Sequence, residues 1–244
     1  VAGIVARPAP LTQAGSRTIS IVRTRIKICC LASHEEAALA IRAGADAVGF
    51  LGAGGMPSSR RAIDDRQVAA IIARVPPPVA TFVLTSEGTA ERIAKRVRAA
   101  GASTVQIVAH LAAGESEQLA KLLPTTRRVQ VIHVEDESAL ELIPTYAPHV
   151  HAFLLDSGRP SLPTPEYGGT GRTHDWSVSA EFVRRSPLPV FLAGGLTPEN
   201  VGEAIDRIHP FGVDLCSGVR TDGRLDRDKL EAFVSAVHAA DAAQ

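Results

Sequence analysis

The sequence predicts a single α/β domain of the (β/α)8, or TIM barrel, class behind an irregular N-terminal extension. Three observations carry that expectation. The 244 residues suit one large barrel, although length alone also admits two small domains. From position 25 onward, short apolar runs rich in β-branched residues alternate with longer segments of helical period, the pattern of repeated β-α units. Glycine-containing turns follow the last two runs, as Gly194-Gly195 and Ser217-Gly218. An open doubly wound sheet often places such a turn after its first strand, where this chain has Cys29 and Cys30.

Residues 1–24 form the extension. They hold Arg7, Arg17 and Arg23 but no acidic residue, and they mix Pro, Gly, Ser and Thr without a period. No amphipathic helix or apolar core of signal type stands out, which favours a flexible or strapped-on segment over a targeting peptide. Residues 25–244 form the barrel domain, with strands expected at 25–30, 46–51, 79–84, 103–108, 128–133, 150–155, 188–193 and 211–215. The helix after the first strand starts from Ser33, a good N-cap, and Glu36 three residues on completes a capping box. A later helix is expected from Thr197 to Ile208, with Asn200 at the corresponding position and no box. After the sixth strand comes a long loop with Pro165-Glu166-Tyr167 and then Gly168, Gly169 and Gly171, whose length suggests a flap.

Composition narrows the partners. Twenty-six basic residues balance 26 acidic ones, so there is no net pull toward nucleic acid or a membrane surface, and recognition of a small molecule has to be local. No stretch approaches the roughly 18 apolar residues of a membrane helix. Cys29, Cys30 and Cys216 cannot form a paired framework, which fits a reducing cytoplasm. There is no Cys-x-x-Cys pair and no His-Glu-x-x-His helix, and His149 and His151 lie near the amino end of the sixth strand, so no metal is expected.

In a barrel the reactive groups sit at the carboxyl ends of the strands. That selects Cys29, Arg61, Asp156, Gly194, Gly195, Ser217 and Gly218. Cys29 and Asp156 end the first and sixth strands and form a plausible base and acid for moving a proton between carbon and oxygen. Taken alone, a buried cysteine is more often a small core hydrophobe. A carboxylate that ends the apolar run His151-Ala152-Phe153-Leu154-Leu155 is harder to explain by packing. Arg61 can grip a carboxylate bidentately or simply be a solvated loop arginine. The two late loops can aim backbone amides at a phosphate, as barrel enzymes frequently do.

Five ordered motifs from about residue 25 to the C-terminal helix resemble the phosphoribosylanthranilate isomerase family of tryptophan biosynthesis. They are Lys27-Ile28-Cys29 on the first strand, Gly44 to Phe50 on the second, Ser59 to Ile63, Leu155-Asp156 with the later Thr164 to Trp176, and the pair Leu192 to Val201 and Val213 to Val219. The resemblance implies a TIM barrel without a cofactor, monomeric or homodimeric, performing an Amadori rearrangement of an aminoaldose phosphate to an aminoketose. It implies Asp156 as proton donor to the furanose ring oxygen and Cys29 as the base that takes the C2′ proton. It further implies Arg61 at the anthranilate carboxylate, and the amides around Gly194, Gly195, Ser217 and Gly218 at the phosphate. Burial is expected to raise the Asp156 pKa, and Lys27, two residues before Cys29 on the same strand face, is a candidate positive neighbour for the thiol.

The chain departs from the family pattern near the substrate. Cys30 stands where the family has glycine, Val105-Gln106-Ile107-Val108-Ala109 lacks the family's strand-four histidine, and His110 is two positions too late to replace it. Cys216 replaces a small polar residue, and Ser157 to Pro163 lengthen the loop after Asp156. Two alternatives follow: a related isomerase acting on a different aminosugar phosphate, or a non-catalytic phosphate-ligand binding relative. Retention of both Cys29 and Asp156 argues against the second.

Overall fold

A computed structural model describes residues 23–56, 59, 61–159 and 173–244. The strands β1 (Arg25–Ile28), β2 (Ala47–Leu51), β3 (Ala80–Thr85), β4 (Thr104–Ile107), β5 (Arg127–His133), β6 (Ala152–Asp156), β7 (Val190–Leu192) and β8 (Gly212–Leu215) form a closed barrel. Neighbours are parallel, and β8 closes on β1 from Arg25↔Gly212 to Ile28↔Leu215. All eight expected strands are present, with ends displaced by a residue or two. β1 stops at Ile28 because Cys30 turns into the left-handed region, at φ 56°. β7 starts at Val190 because Pro189 has no N–H to give a ladder, although its carbonyl still accepts from Phe153.

Helices α1 (His34–Arg42), α2 (Asp65–Ile72), α3 (Ala90–Ala100), α4 (Ala113–Leu122), α5 (Leu142–Tyr146), α6 (Trp176–Arg185), α7 (Val201–Ile208) and α8 (Arg227–Ala243) surround it. Two cap expectations need correcting. Ser33 caps α1 by accepting the Glu36 N–H at 3.2 Å, but Glu36 reaches past the box to the Ala32 N–H at 2.8 Å and to the Leu225 N–H at 2.9 Å. The Glu36 carboxylate is shared with Arg220, so it ties α1 to the loop after β8 instead of serving only its own helix. The second helix begins at Val201, not Thr197. Asn200 is its cap residue and reaches back to the Thr197 N–H at 2.8 Å while its amide donates to the Gly195 carbonyl at 2.9 Å. That asparagine therefore closes the very turn that carries Gly194 and Gly195.

Strand alternation sorts the apolar residues into two shells. One face, with Ile26, Phe50, Phe153 and Val213, packs against helix residues such as Phe182 and Phe233. The other fills the barrel with Ala47, Phe82, Val129, Leu154 and Phe191. Each large side chain so buried contributes about 1.5–3 kcal/mol. The barrel is tied at its base before β1 begins: Arg23 pairs with Asp46, and the Thr24 N–H and hydroxyl donate to Asp241 of α8 at 2.9 and 2.6 Å. Among the described residues no helix is long and apolar enough to cross a membrane. Residues 1–22 of the extension and 160–172 of the loop after β6, including Gly168, Gly169 and Gly171, lie outside the described residues.

Candidate active site

A cavity of about 320 Å³ opens at the carboxyl ends of the strands, and Cys29, Arg61, Asp156, Gly194, Gly195 and Ser217 all line it. Gly218 lies behind its wall. A Cβ there would sit 2.1 Å from the Leu196 carbonyl oxygen, so only glycine lets the loops after β7 and β8 approach this closely. Gly194 and Gly195 both adopt positive φ, at 85° and 65°, which turns the chain sharply at the cavity rim.

Cys29 follows the last residue of β1 and is buried, its N–H held by the Leu215 carbonyl at 2.9 Å. The space beside it comes from Gly49 on β2: a Cβ at that position would meet Cys29 Sγ at 2.9 Å and Lys27 Nζ at 3.1 Å. The thiol and the ammonium thus converge on one notch, as the shared strand face of residues 27 and 29 suggests. Lys27 is fully buried, bonded to Asp214 Oδ1 at 2.8 Å and set over the Phe82 ring at 5.0 Å from its centroid. Burial opposes its charge, but Asp214 and Cys29 outweigh that and hold the ammonium above its ordinary pKa.

Asp156 ends β6, and one of its oxygens accepts the Ser157 N–H at 2.7 Å. Burial pushes its pKa up to about 6; the Ser157 N–H works against the rise, Asp214 adds to it, and Lys27 opposes it. A carboxyl held this way keeps a proton at a pH where an exposed aspartate has lost it, which is what a proton donor needs.

Sequence reasoning missed two lining residues. Asp214 is signalled by a carboxylate in the middle of the apolar run of β8, and Gln106 by an amide inside β4. The Gln106 Oε1 is buried and has no hydrogen-bond partner among the described residues. It is an acceptor available to a ligand hydroxyl.

Two of the residues that depart from the family pattern, Cys30 and Cys216, line the same cavity. Arg61 Nη1 donates to Cys216 Sγ, and the Cys30 and Cys29 sulfurs are 3.8 Å apart. The positive φ of Cys30 is the backbone angle a glycine would take without strain. At position 108, where the family has its strand-four histidine, Val108 instead gives its carbonyl to Nε2 of His133 from β5, at 3.0 Å; the His110 ring lies tilted against that of His133, with centroids 5.8 Å apart. His149 and His151 sit at the base, as expected, where the Arg128 Nε donates to the His149 carbonyl and the Arg128 N–H to Nδ1 of His151. Among the described residues no group of three or more His, Cys, Asp or Glu is placed to hold a metal ion.

Residues 26–236 match the family model for N-(5′-phosphoribosyl)anthranilate (PRA) isomerase. A curated relative, the N-(5′-phosphoribosyl)anthranilate isomerase of Halobacterium salinarum, is 37% identical over 213 residues, covering 87% of this chain and 94% of its own. A phosphoribosylanthranilate isomerase solved in complex with reduced 1-(o-carboxyphenylamino)-1-deoxyribulose 5-phosphate is 28% identical, with a TM-score of 0.73 over 88% of this chain and 99% of the other. Monomers generated from the dimeric isomerase of Thermotoga maritima are 27% identical, with a TM-score of 0.74 over the same shares.

Proposed function

The chain belongs to the N-(5′-phosphoribosyl)anthranilate isomerase family, and from that premise we infer how its own residues divide the reaction. It catalyses the isomerisation of N-(5′-phosphoribosyl)anthranilate in tryptophan biosynthesis. Asp156 protonates the furanose ring oxygen, the C1′–O bond breaks, and an iminium forms at the anilino nitrogen. Cys29 then takes the proton from C2′, giving an enolamine that tautomerises to the aminoketose. The single observation that carries this assignment is that Cys29 and Asp156 face one cavity from different strands, each in its own electrostatic setting. Asp156 is kept protonated up to about pH 6 by burial, while the sulfur of Cys29 shares its notch with the buried ammonium of Lys27.

Arg61 and the turns at Gly194-Gly195 and Ser217-Gly218 orient the substrate. The guanidinium meets the anthranilate carboxylate, and the amides of the two turns meet the phosphate. Gly218 contributes by letting the turns close together rather than by lining the cavity. The substrate is a small molecule; neither nucleic acid nor a membrane enters this reading. Three free thiols suit a reducing cytoplasm, and the chain acts as a monomer or a homodimer.

Substrate formed in situ from anthranilate supplies the test, since its consumption can be followed by fluorescence. The protein is expected to deplete it rapidly. Cys29→Ala and Asp156→Asn should each lower kcat at least about a hundredfold while folding normally. Turnover within a few-fold of the unsubstituted protein in either variant would remove that residue from the assigned role.

A further inference from the structure

All three cysteines of the chain gather at the cavity mouth, but the isomerisation uses only one. Cys29 is buried, whereas Cys30 and Cys216 are partly open to solvent. They come from the loops after β1 and β8, adjacent strands whose register brings Ile28 beside Leu215. Cys216 Sγ accepts from the Arg61 guanidinium, and Arg220, which donates to the Cys30 carbonyl at 2.8 Å, adds a second positive charge nearby. We propose that Cys30 and Cys216 form a redox-responsive pair, in which a small hydroperoxide oxidises Cys216 and Cys30 resolves it into a disulfide that closes the substrate site.

The chemistry needs one oxidant and no other partner. The Cys216 thiolate attacks a peroxide oxygen, the O–O bond breaks, and a sulfenic acid forms as hydroxide or alkoxide leaves. The Cys30 thiol then attacks that sulfur; the S–S bond forms, the S–O bond breaks, and the oxygen leaves as water with the Cys30 proton. Two electrons pass from the two sulfurs to the peroxide. The local electrostatics suit this division. The hydrogen bond from Cys30, with Arg61 and Arg220 behind it, outweighs burial and holds Cys216 below the usual thiol range, and the same shared proton holds Cys30 above it.

Closure follows from position. The bond would draw Cys216 away from Arg61 and pin the segment that carries Ser217, so the guanidinium loses its place and the phosphate turn its freedom. A vicinal bond between Cys29 and Cys30 is the competing product, but adjacent residues close a strained ring.

The test treats the reduced protein with hydrogen peroxide, with and without the reduced product analogue in the site. Isomerase turnover is measured alongside the free-thiol count, the intact mass and the cross-linked peptides. The pair predicts a fall from three thiols to one, a mass loss of two hydrogens, a peptide joining Cys30 to Cys216, and lost turnover that a dithiol reductant restores. Bound analogue should slow all four changes. Cys30→Gly, which starts with two thiols, should yield no cross-linked peptide after peroxide, and Cys216 should gain oxygen mass in its place. A cross-link between Cys29 and Cys30, or unchanged thiols in the unsubstituted protein, overturns the proposal. The mass and peptide readouts need no turnover, so failure of the acid and base assignment is separately visible in the untreated protein.

Discussion

The two ends of the barrel contain similar kinds of polar residue put to different uses. At the base, the buried Arg128 guanidinium is bonded to the carbonyls of His149, Leu123 and Thr126 at 2.8, 2.8 and 3.2 Å, and Asp46 is taken by Arg23 and the Ile26 N–H. Charge there is consumed in fastening one loop to another. At the mouth, Lys27, Asp214 and Asp156 are buried together with few backbone partners, so Lys27 and Asp214 set each other's proton affinity and both act on that of Asp156. The base also holds the larger cavity, about 540 Å³ against about 320 Å³ at the mouth. Its walls are mostly apolar, with Phe82, Phe191, Phe211 and Val129 among them. Volume therefore does not identify the site; opposed titratable groups with unfilled hydrogen-bonding capacity do.

The comparison is broken hardest at Lys27. Lys27→Met leaves Asp214 buried without its partner and should cost about 3–5 kcal/mol in chemical denaturation. It also removes a positive charge that opposes protonation of Asp156, so the Asp156 pKa should climb beyond about 6 when followed by NMR of a carbon-labelled carboxyl. An unmoved titration would separate Lys27 from the acid.

Asp156 gives the next effect, with a definite sign in pH. Its folded pKa of about 6 lies above the ordinary 3.8, so the folded state binds the extra proton, and stability is lost as pH rises from about 4 through about 6. The shift is worth about 3 kcal/mol. Asp156→Asn should flatten that part of the stability curve and leave the variant more stable than the parent at neutral pH, though almost inactive. Parallel curves for the two proteins would contradict the buried-acid account.

At the base the expectation reverses. Arg128→Met strands several loop carbonyls and should cost about 2 kcal/mol of stability, yet turnover per folded molecule should stay within twofold by the fluorescence assay, a bound of about 0.4 kcal/mol in the barrier. The smallest effect belongs to Gln106→Leu. Replacing the unpartnered acceptor should raise KM by roughly fivefold, corresponding to about 1 kcal/mol for one hydrogen bond, with kcat little changed.

The Cys29 and Asp156 positions were legible because apolar runs end at them, and strand ends in a barrel face one mouth. The Gly194-Gly195 and Ser217-Gly218 turns were legible because flexible backbone after the last two strands is conspicuous in sequence. Asp214 and Gln106 were overlooked because an isolated polar residue inside a strand gives no indication of which face it occupies until the barrel's register is known. The capping of α1 was half right: Ser33 is a local signal, but besides the Ala32 N–H the Glu36 carboxylate is taken by Arg220 and Leu225, 184 and 189 residues along the chain.

The sequence alone determined the eight-strand alternation, the place of the mouth and the family to which its motifs belong, because periodicity and short-range spacing are local properties of a chain. Only the tertiary structure decided what lies beside what. It put Lys27, Cys29 and the bare face of Gly49 in one notch, brought Cys30 and Cys216 together from opposite ends of the chain, and set Gly218 behind the wall. Barrel closure is the physical reason: joining β8 to β1 makes neighbours of residues nearly 190 positions apart, such as Lys27 and Asp214 with their separation of 187, and no local pattern encodes that contact.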